Sequence, residues 1–294
     1  MRVRRCPREM LSHLSDAKWV DTSRRPYVIG DEAFVPVRDA YDADQELSKR
    51  VPYSGRGYQL LGDVAVLHGT QPRSEEITAL CDWLNPRGIV YISGYHGEKR
   101  IPEATLMYGE CNEVCHHEAG YTFYLNPLKV MFAMGNREEK LRISRVIADA
   151  TEKRAIRCAD MFAGIGYFTI PAAVSGATVH AMEINPDSFG YLEKNCAANK
   201  VSSRVTPELG DCRDALKGVY DYMLMGHFDA LTFLSDACAH VQRGTVLSVH
   251  TLGEQTEEIK RCCAEAGYAT DIIPYRVKKY APGVWHMVHD VVIQ

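Results

Sequence analysis

The chain of 294 residues is 46% hydrophobic and 24% charged, a balance that excludes a disordered or collagen-like polymer and leaves room for one large domain or two modest ones. Its 34 basic and 38 acidic residues give a net charge of −4 and an isoelectric point near 6.3, which argues against a bulk nucleic-acid binder but leaves local basic patches open. No run of about 18 apolar residues offers a membrane span, the opening MRVRRCPREMLSHLSD lacks the apolar core of a secretory signal, and ten cysteines in such a chain read as reduced thiols, so a cytoplasmic protein is expected.

In chain order, Arg2, Arg4, Arg5 and Arg8 form a first basic cluster. GYQLLGDVAVLHG (57–69) reads as strands. SEEITALCDWL (74–84) reads as a helix behind a Ser74 cap, because Ile77, Leu80, Cys81 and Leu84 recur at i, i+3, i+4 and i+7. GIVYISG (88–94) is a β-branched run between glycines, hence a strand. Cys111, Cys115, His116 and His117 are zinc-type donors. Adjacent histidines rarely reach one ion and no second pair completes the set, so a turn is the plainer reading and no metal is expected. HEAGYTFYLNP (117–127) reads as one further strand, stopped by Asn126-Pro127. Residues 1–129 are therefore expected to form a smaller α+β region.

Near residue 130 the pattern changes. NREEKLRISRVIADA places Ile143, Val146, Ile147 and Ala150 on one helical face, with Asn136 and Glu139 spaced as a capping box. Strand and helix then alternate through IRCADMF, TIPAAVSG, TVHAMEI, PDSFGYLEKNCAANK, VTPELGD, VYDYMLMG, ALTFLSDACAHV, TVLSVHTL and TEEIKRCCAEAGY. DIIPYRV and GVWHMVHDVVI close the series as a hairpin around Ala281-Pro282-Gly283. Such alternation predicts an α/β fold with a mainly parallel, Rossmann-like sheet and right-handed crossovers. Ended by an antiparallel hairpin, it is the class I S-adenosylmethionine-dependent transferase pattern, here assigned to residues 130–294.

Asp160-Met161-Phe162-Ala163-Gly164-Ile165-Gly166 follows a strand and opens a helix. Gly164 and Gly166, lacking Cβ, let the backbone turn tightly against a ligand, and the helix N-terminal N–H groups that follow face a carboxylate or phosphate. Glu183, with Ile184 after it, ends the next strand, where an acid grips ribose hydroxyls. Asp211, with Cys212 after it, ends the third and is placed to accept from an adenine amino group. Thr169 stands where a dinucleotide fingerprint has its third glycine, which disfavours a nicotinamide cofactor. Singly, Asp160 also reads as a cap, Glu183 as a loop acid and Asp211 as a turn residue. Together with the glycines they predict S-adenosyl-L-methionine.

DMFAGIGYFTIPAA (160–173), EINPDSFGYLEKNCAANKV (183–201), GDCRD (210–214) and VKKYAPGVWHMVHDV (277–291) resemble a family of tRNA enzymes that modify the purine at position 37, beside the anticodon. That family holds the archaeal and eukaryotic tRNA guanine-N1 methyltransferases and the tRNA wybutosine-synthesizing protein 2 branch. The resemblance is strong from about residue 116 to 294 and weaker before. The methyltransferase branch carries Asn-Leu-Pro after its fourth strand. Here that strand ends Met225-Gly226-His227, similar to the wybutosine branch. VMFAMGNREEKLR (130–142) is similar to that branch's Met-Phe-x-x-Gly-Asn-x-x-Glu-Lys, with Ala133 where serine is frequent and His117 where relatives carry arginine.

The resemblance implies transfer of the 3-amino-3-carboxypropyl group from S-adenosylmethionine to a tricyclic base at position 37 of tRNA-Phe, with methylthioadenosine released. Presenting that arm needs a cation for its carboxylate, and Lys140, at a helix start, is the expected one; Glu139 either caps the helix or meets the amine. Gly226 is expected to leave room for arm and base, and His227 to hydrogen-bond the base or take a proton. The tRNA is expected on the N-terminal region and the basic ends, including Arg276, Lys278 and Lys279, with Tyr121 and Tyr124 as stacking or strand-core residues. The rival readings are methyl transfer on the same fold and an RNA-binding module without catalysis.

Overall fold

A computed structural model describes residues 1–14, 16–47 and 52–294. The chain divides into two compact units, residues 1–55 with 78–85 and residues 56–77 with 86–294. The change of pattern near residue 130, where the sequence places a boundary between 1–129 and 130–294, falls inside the second unit.

In the first unit β1 (Arg2–Pro7), β2 (Tyr27–Ile29), β3 (Glu32–Pro36) and β4 (Gln45–Glu46) form an antiparallel sheet in the order β2-β3-β1-β4. Alternation along β1 puts Arg2 and Arg4 on the face opposite the buried Val3, while Arg5, on the face of Val3, is exposed. They are engaged within the unit: Arg2 donates to the carbonyls of Asp39 and Tyr41, Arg4 donates to that of Asp42 and lies over Trp19, and Arg5 pairs with Glu32.

The second unit begins with β5 (Gln59–Leu61), β6 (Val64–His68), the first turn of α1 (Ser74–Leu84), β7 (Gly88–His96) and β8 (Ile101–Gly109), whose sheet order is β5-β6-β7-β8. The single strand expected over 117–127 is instead a hairpin of β9 (Val114–Glu118) and β10 (Tyr121–Leu125). It turns at Ala119 and Gly120, both with left-handed φ (55° and 86°), a turn usually announced by Asn-Gly. An alanine in that place hides the turn from sequence reading.

Next come α2 (Arg137–Thr151), β11 (Arg157–Asp160), α3 (Thr169–Val174), β12 (Thr178–Glu183), α4 (Pro186–Ala198), β13 (Val205–Leu209), α5 (Cys212–Ala215) and β14 (Tyr222–Met225). α6 (Leu234–Cys238), β15 (Val246–Leu252), α7 (Thr256–Glu265), β16 (Thr270–Ala281) and β17 (Val284–Ile293) complete the chain. The seven strands lie in the order β13-β12-β11-β14-β15-β17-β16, parallel except for β17, which runs antiparallel to both its neighbours. This is the class I transferase sheet, with the β16–β17 hairpin the sequence predicts. The helix expected over 230–241 is shorter: a 3-10 turn at Ala230–Phe233 leads into α6.

The central strands β11, β12 and β14 are almost wholly buried, as strands covered on both faces are. α2 buries Ile143 and Ile147 completely, each worth about 2–3 kcal/mol of apolar burial. α4 is capped by Asn185, whose Oδ1 accepts from the Asp187 N–H at 3.0 Å, with Pro186 in the first turn. Asn195 and Asn199 of α4 treat the β10 edge as a strand would. Asn195 Oδ1 accepts the Tyr124 N–H and its Nδ2 donates to the Tyr124 carbonyl; Asn199 does the same at Thr122. Four hydrogen bonds thus satisfy an edge whose groups would otherwise be buried unpaired, and they explain why the β9–β10 hairpin belongs with the parallel sheet.

Candidate active site

The carboxyl ends of β11, β12 and β14, together with the loop after β13, open into a cavity of about 570 Å³, the crevice where ligands of open α/β sheets bind. Its wall includes Phe162, Gly164, Glu183, Ile184, Asp211, Cys212, Gly226 and His227, eight of the predicted site residues. Four others are not on that wall. Asp160, Ala163 and Gly166 shape the loop from beneath, and Lys140 belongs to a different cluster.

Asp160 is fully buried. Its carboxylate accepts the Thr169 hydroxyl at 2.7 Å and the Phe162 N–H at 3.3 Å, tying the end of β11 to the start of α3. Burial pushes this carboxyl up to about 6, against the pull of those hydrogen bonds. Ala163 is buried and its N–H donates to the Met182 carbonyl. Gly166 has φ +102°, and a Cβ there would meet Ile170 and Leu192, so it admits α3 and α4 rather than a ligand.

Gly164 (φ +57°) donates its N–H to Glu183 Oε2 at 2.7 Å, and the Asn185 N–H reaches Oε1 at 2.7 Å. A carboxylate has about four lone-pair directions, so acceptor capacity remains for a hydroxyl in the cavity. Burial raises the Glu183 carboxyl, and its three backbone N–H contacts hold it down. Asp211 accepts the N–H of Arg213 at 2.9 Å and its Nε at 3.0 Å, which keeps it ionised below the usual carboxylate range. Phe162 and Phe233 meet edge to face, with centroids 5.0 Å apart, and with Ile184 they give the cavity wall apolar surface.

His227 Nδ1 accepts the Asp229 N–H at 3.1 Å. Burial lowers its pKa, which favours the neutral ring, and with Nδ1 accepting, its proton sits on Nε2. The residue therefore offers a donor. A Cβ on Gly226 would stand 2.8 Å from Phe168 Cε2, so this glycine accommodates the Phe168 ring, itself 5.1 Å from His250. The room expected for a substrate arm is first of all room for Phe168.

The start of α2 differs from its sequence reading. Lys140 is fully buried, pairs with Glu118 of β9, and lies 5.0, 4.8 and 5.6 Å from the centroids of Phe123, Phe132 and Tyr167. The nearly enclosed Glu118 pairs with its charge, and Lys140 is not among the residues of the cavity wall. Glu139 does not cap the helix: its carboxylate grips Arg142 through two bonds of 2.7 and 2.8 Å, and Arg142 also holds Asp290 of β17. Asn136 makes no side-chain cap bond. Its Oδ1 is buried without a partner and the residue lines the cavity.

Sequence reasoning missed Asn136 as a cavity residue, along with Phe168, Phe233 and the turn Gly97–Arg100 between β7 and β8. The Lys99 carbonyl accepts from Asn185 Nδ2 at 3.0 Å, pinning that turn beside Glu183. Nothing in the residues of the turn signals the site, because it is some eighty positions away along the chain. On β9, Cys115 and His117 share one face, with Sγ and Nε2 3.8 Å apart, while His116 packs against Phe132 on the other. Among the described residues no cluster of three or more such side chains is placed to hold a metal ion. Tyr121 is a core residue whose hydroxyl bonds Ser144; Tyr124 is half-buried beneath Lys194. Lys278 donates to the Met134 carbonyl and Arg276 lies over Trp285. No helix among the described residues is long and apolar enough to cross a membrane.

A parallel sheet in this strand order, a glycine loop on its first strand and an acid ending its second define a class I transferase built around a nucleoside cofactor. The TRM5/TYW2 methyltransferase domain family matches residues 114–273, and the chain belongs to it. It is 35% identical over 251 residues to a tRNA(Phe) (4-demethylwyosine(37)-C(7)) aminocarboxypropyltransferase of Methanocaldococcus jannaschii, covering 80% of this chain and 97% of that one. A tRNA (guanine(37)-N(1))-methyltransferase, Trm5b of Pyrococcus abyssi, is 28% identical, covering 94% and 83%. Among solved structures, M. jannaschii TYW2 in complex with AdoMet superposes with a TM-score of 0.64 at 29% identity, covering 81% of this chain and 99% of that one.

Proposed function

We propose that this protein transfers the 3-amino-3-carboxypropyl group of S-adenosylmethionine to the wyosine-precursor base at position 37 of tRNA-Phe, releasing methylthioadenosine. The reading is carried by the 35% identity over nearly the whole length of an aminocarboxypropyltransferase. The ending Met225-Gly226-His227 of β14, without the Asn-Leu-Pro of the methyl-transferring branch, agrees with it.

The cavity fits the cofactor. The apolar surface of Phe162, Phe233 and Ile184 takes the adenine, the remaining acceptor capacity of Glu183 takes the ribose hydroxyls, and Asn136 Oδ1 is an acceptor awaiting a donor. When bound, the cofactor supplies three electrophilic carbons around one sulfonium. The residues of the chain decide which of them faces the RNA, and orientation of that kind supplies about 7–11 kcal/mol of a barrier. His227 donates its Nε2–H to the incoming base, and Phe168, seated against Gly226, excludes water beside it. We place the tRNA across Arg276 and Lys279 and the exposed Tyr280 of β16, a basic and aromatic strip suited to phosphates and an unstacked base. The ten cysteines, all free, suit a reducing compartment such as the cytoplasm.

The decisive experiment supplies tRNA-Phe carrying the precursor base and carboxyl-labelled S-adenosylmethionine. Label is expected in the RNA with methylthioadenosine released; S-adenosylhomocysteine and unlabelled RNA would establish methyl transfer instead.

A further inference from the structure

We infer that Arg100 binds the carboxylate of the cofactor's amino-acid arm, the task the sequence assigned to Lys140. The inference rests on the proposed cofactor. Two buried side-chain polar atoms without a hydrogen-bond partner, among the described residues, belong to the wall of the cavity: Arg100 Nε and Asn136 Oδ1. One is a donor on a permanent cation and the other an acceptor. An α-amino acid group is their complement, with a carboxylate to accept from the first and an ammonium to donate to the second.

Among the described residues, the other buried or partly buried cations near the cavity are occupied. Arg213 is held by Asp211, Lys140 by Glu118, and Lys278 donates to the Met134 carbonyl. Lys99 lines the cavity but its side chain is exposed to water. Among the described residues Arg100 forms no ion pair, although Glu98 stands two residues away in the same turn. Its guanidinium lies 5.8 Å from the Tyr95 ring centroid, a face that holds the planar group without consuming its N–H donors. Its backbone is left-handed (φ +50°), and its N–H closes the turn on the Gly97 carbonyl. The Asn185 side chain fixes that turn beside Glu183, the residue proposed to hold the ribose. Methyl transfer and arm transfer both need the amino-acid group anchored, but arm transfer needs it anchored on the side open to RNA, and Arg100 comes from a sheet outside the Rossmann-like one.

Calorimetric titration of the full-length protein with three ligands tests this. S-adenosylmethionine carries the carboxylate, decarboxylated S-adenosylmethionine lacks only that group, and methylthioadenosine lacks the arm. Arg100→Gln is expected to weaken S-adenosylmethionine binding about 10- to 100-fold, as loss of a charged hydrogen bond does. The same variant should leave methylthioadenosine unchanged and bring S-adenosylmethionine and its decarboxylated analogue to similar affinities; Arg100→Lys should recover part of the loss. Equal S-adenosylmethionine affinity in Arg100→Gln and wild type overturns the inference, and a tRNA affinity that drops with a shallower salt slope would then assign the arginine to a phosphate. Parallel losses for all three ligands also overturn it, because they mean a displaced turn. A wild-type protein that binds none of the three overturns the proposed function as well.

Discussion

The loop from β11 to α3 and the first turns of α2 both carry polar residues that the sequence marks for the cofactor, and they use them in opposite ways. In the loop the backbone does the binding: Gly164 turns left-handed, its N–H meets Glu183, and Phe162 faces the cavity. In α2 the charges turn inward and cancel, Lys140 against Glu118 and Glu139 against Arg142, leaving only the neutral Asn136 on the wall. Glycines at a strand end constrain the chain whatever surrounds them, so their role is local. A lysine near a helix start has no fixed meaning until its tertiary neighbours are known.

The largest test of this contrast is Lys140→Met. It leaves Glu118 buried without a partner, and urea unfolding should lose about 3–5 kcal/mol. Adding Glu118→Gln should restore more than half of that, while cofactor affinity of the folded variants stays near wild type. A stable Lys140→Met protein with poor cofactor binding would return the lysine to the site.

Asp160 sharpens the other half. Its carboxyl is raised to about 6 from 3.8, so its protonated form stabilises the fold at low pH, and that stability is lost as pH rises through about 6. The loss amounts to about 3 kcal/mol. Asp160→Asn should flatten the dependence of unfolding free energy between pH 4 and 7; identical slopes in variant and wild type would refute the assignment.

The smallest effect is expected for Gly226→Ala. The new Cβ, 2.8 Å from the Phe168 ring, should cost about 1–3 kcal/mol of packing and weaken cofactor binding several-fold. Unchanged melting and binding would mean that Phe168 yields freely.

The parallel sheet, its closing hairpin and the acids at its strand ends were legible because periodicity and strand ends are local properties. Ala119-Gly120 was not, since the left-handed turn there lacks an asparagine. Asn195 and Asn199 fall in an expected helix with no mark of their own, yet they complete β10, a role visible only when helix and hairpin are docked. Phe233 falls in an expected helix and instead sits in a 3-10 turn facing Phe162. Arg100 enters the site through a separate sheet, and no periodicity links positions so far apart.

The placing of β17 between β15 and β16 has a consequence for synthesis. A nascent polypeptide that has just made β16 holds a ribbon with no mate, because β16 hydrogen-bonds to β17 alone in its sheet, and β15 meanwhile presents a bare flank. The sheet can seal only once residues 284–293 have left the ribosome and slid into the gap, so stalled or clipped products short of that stretch should recruit chaperones or clump through the open flank.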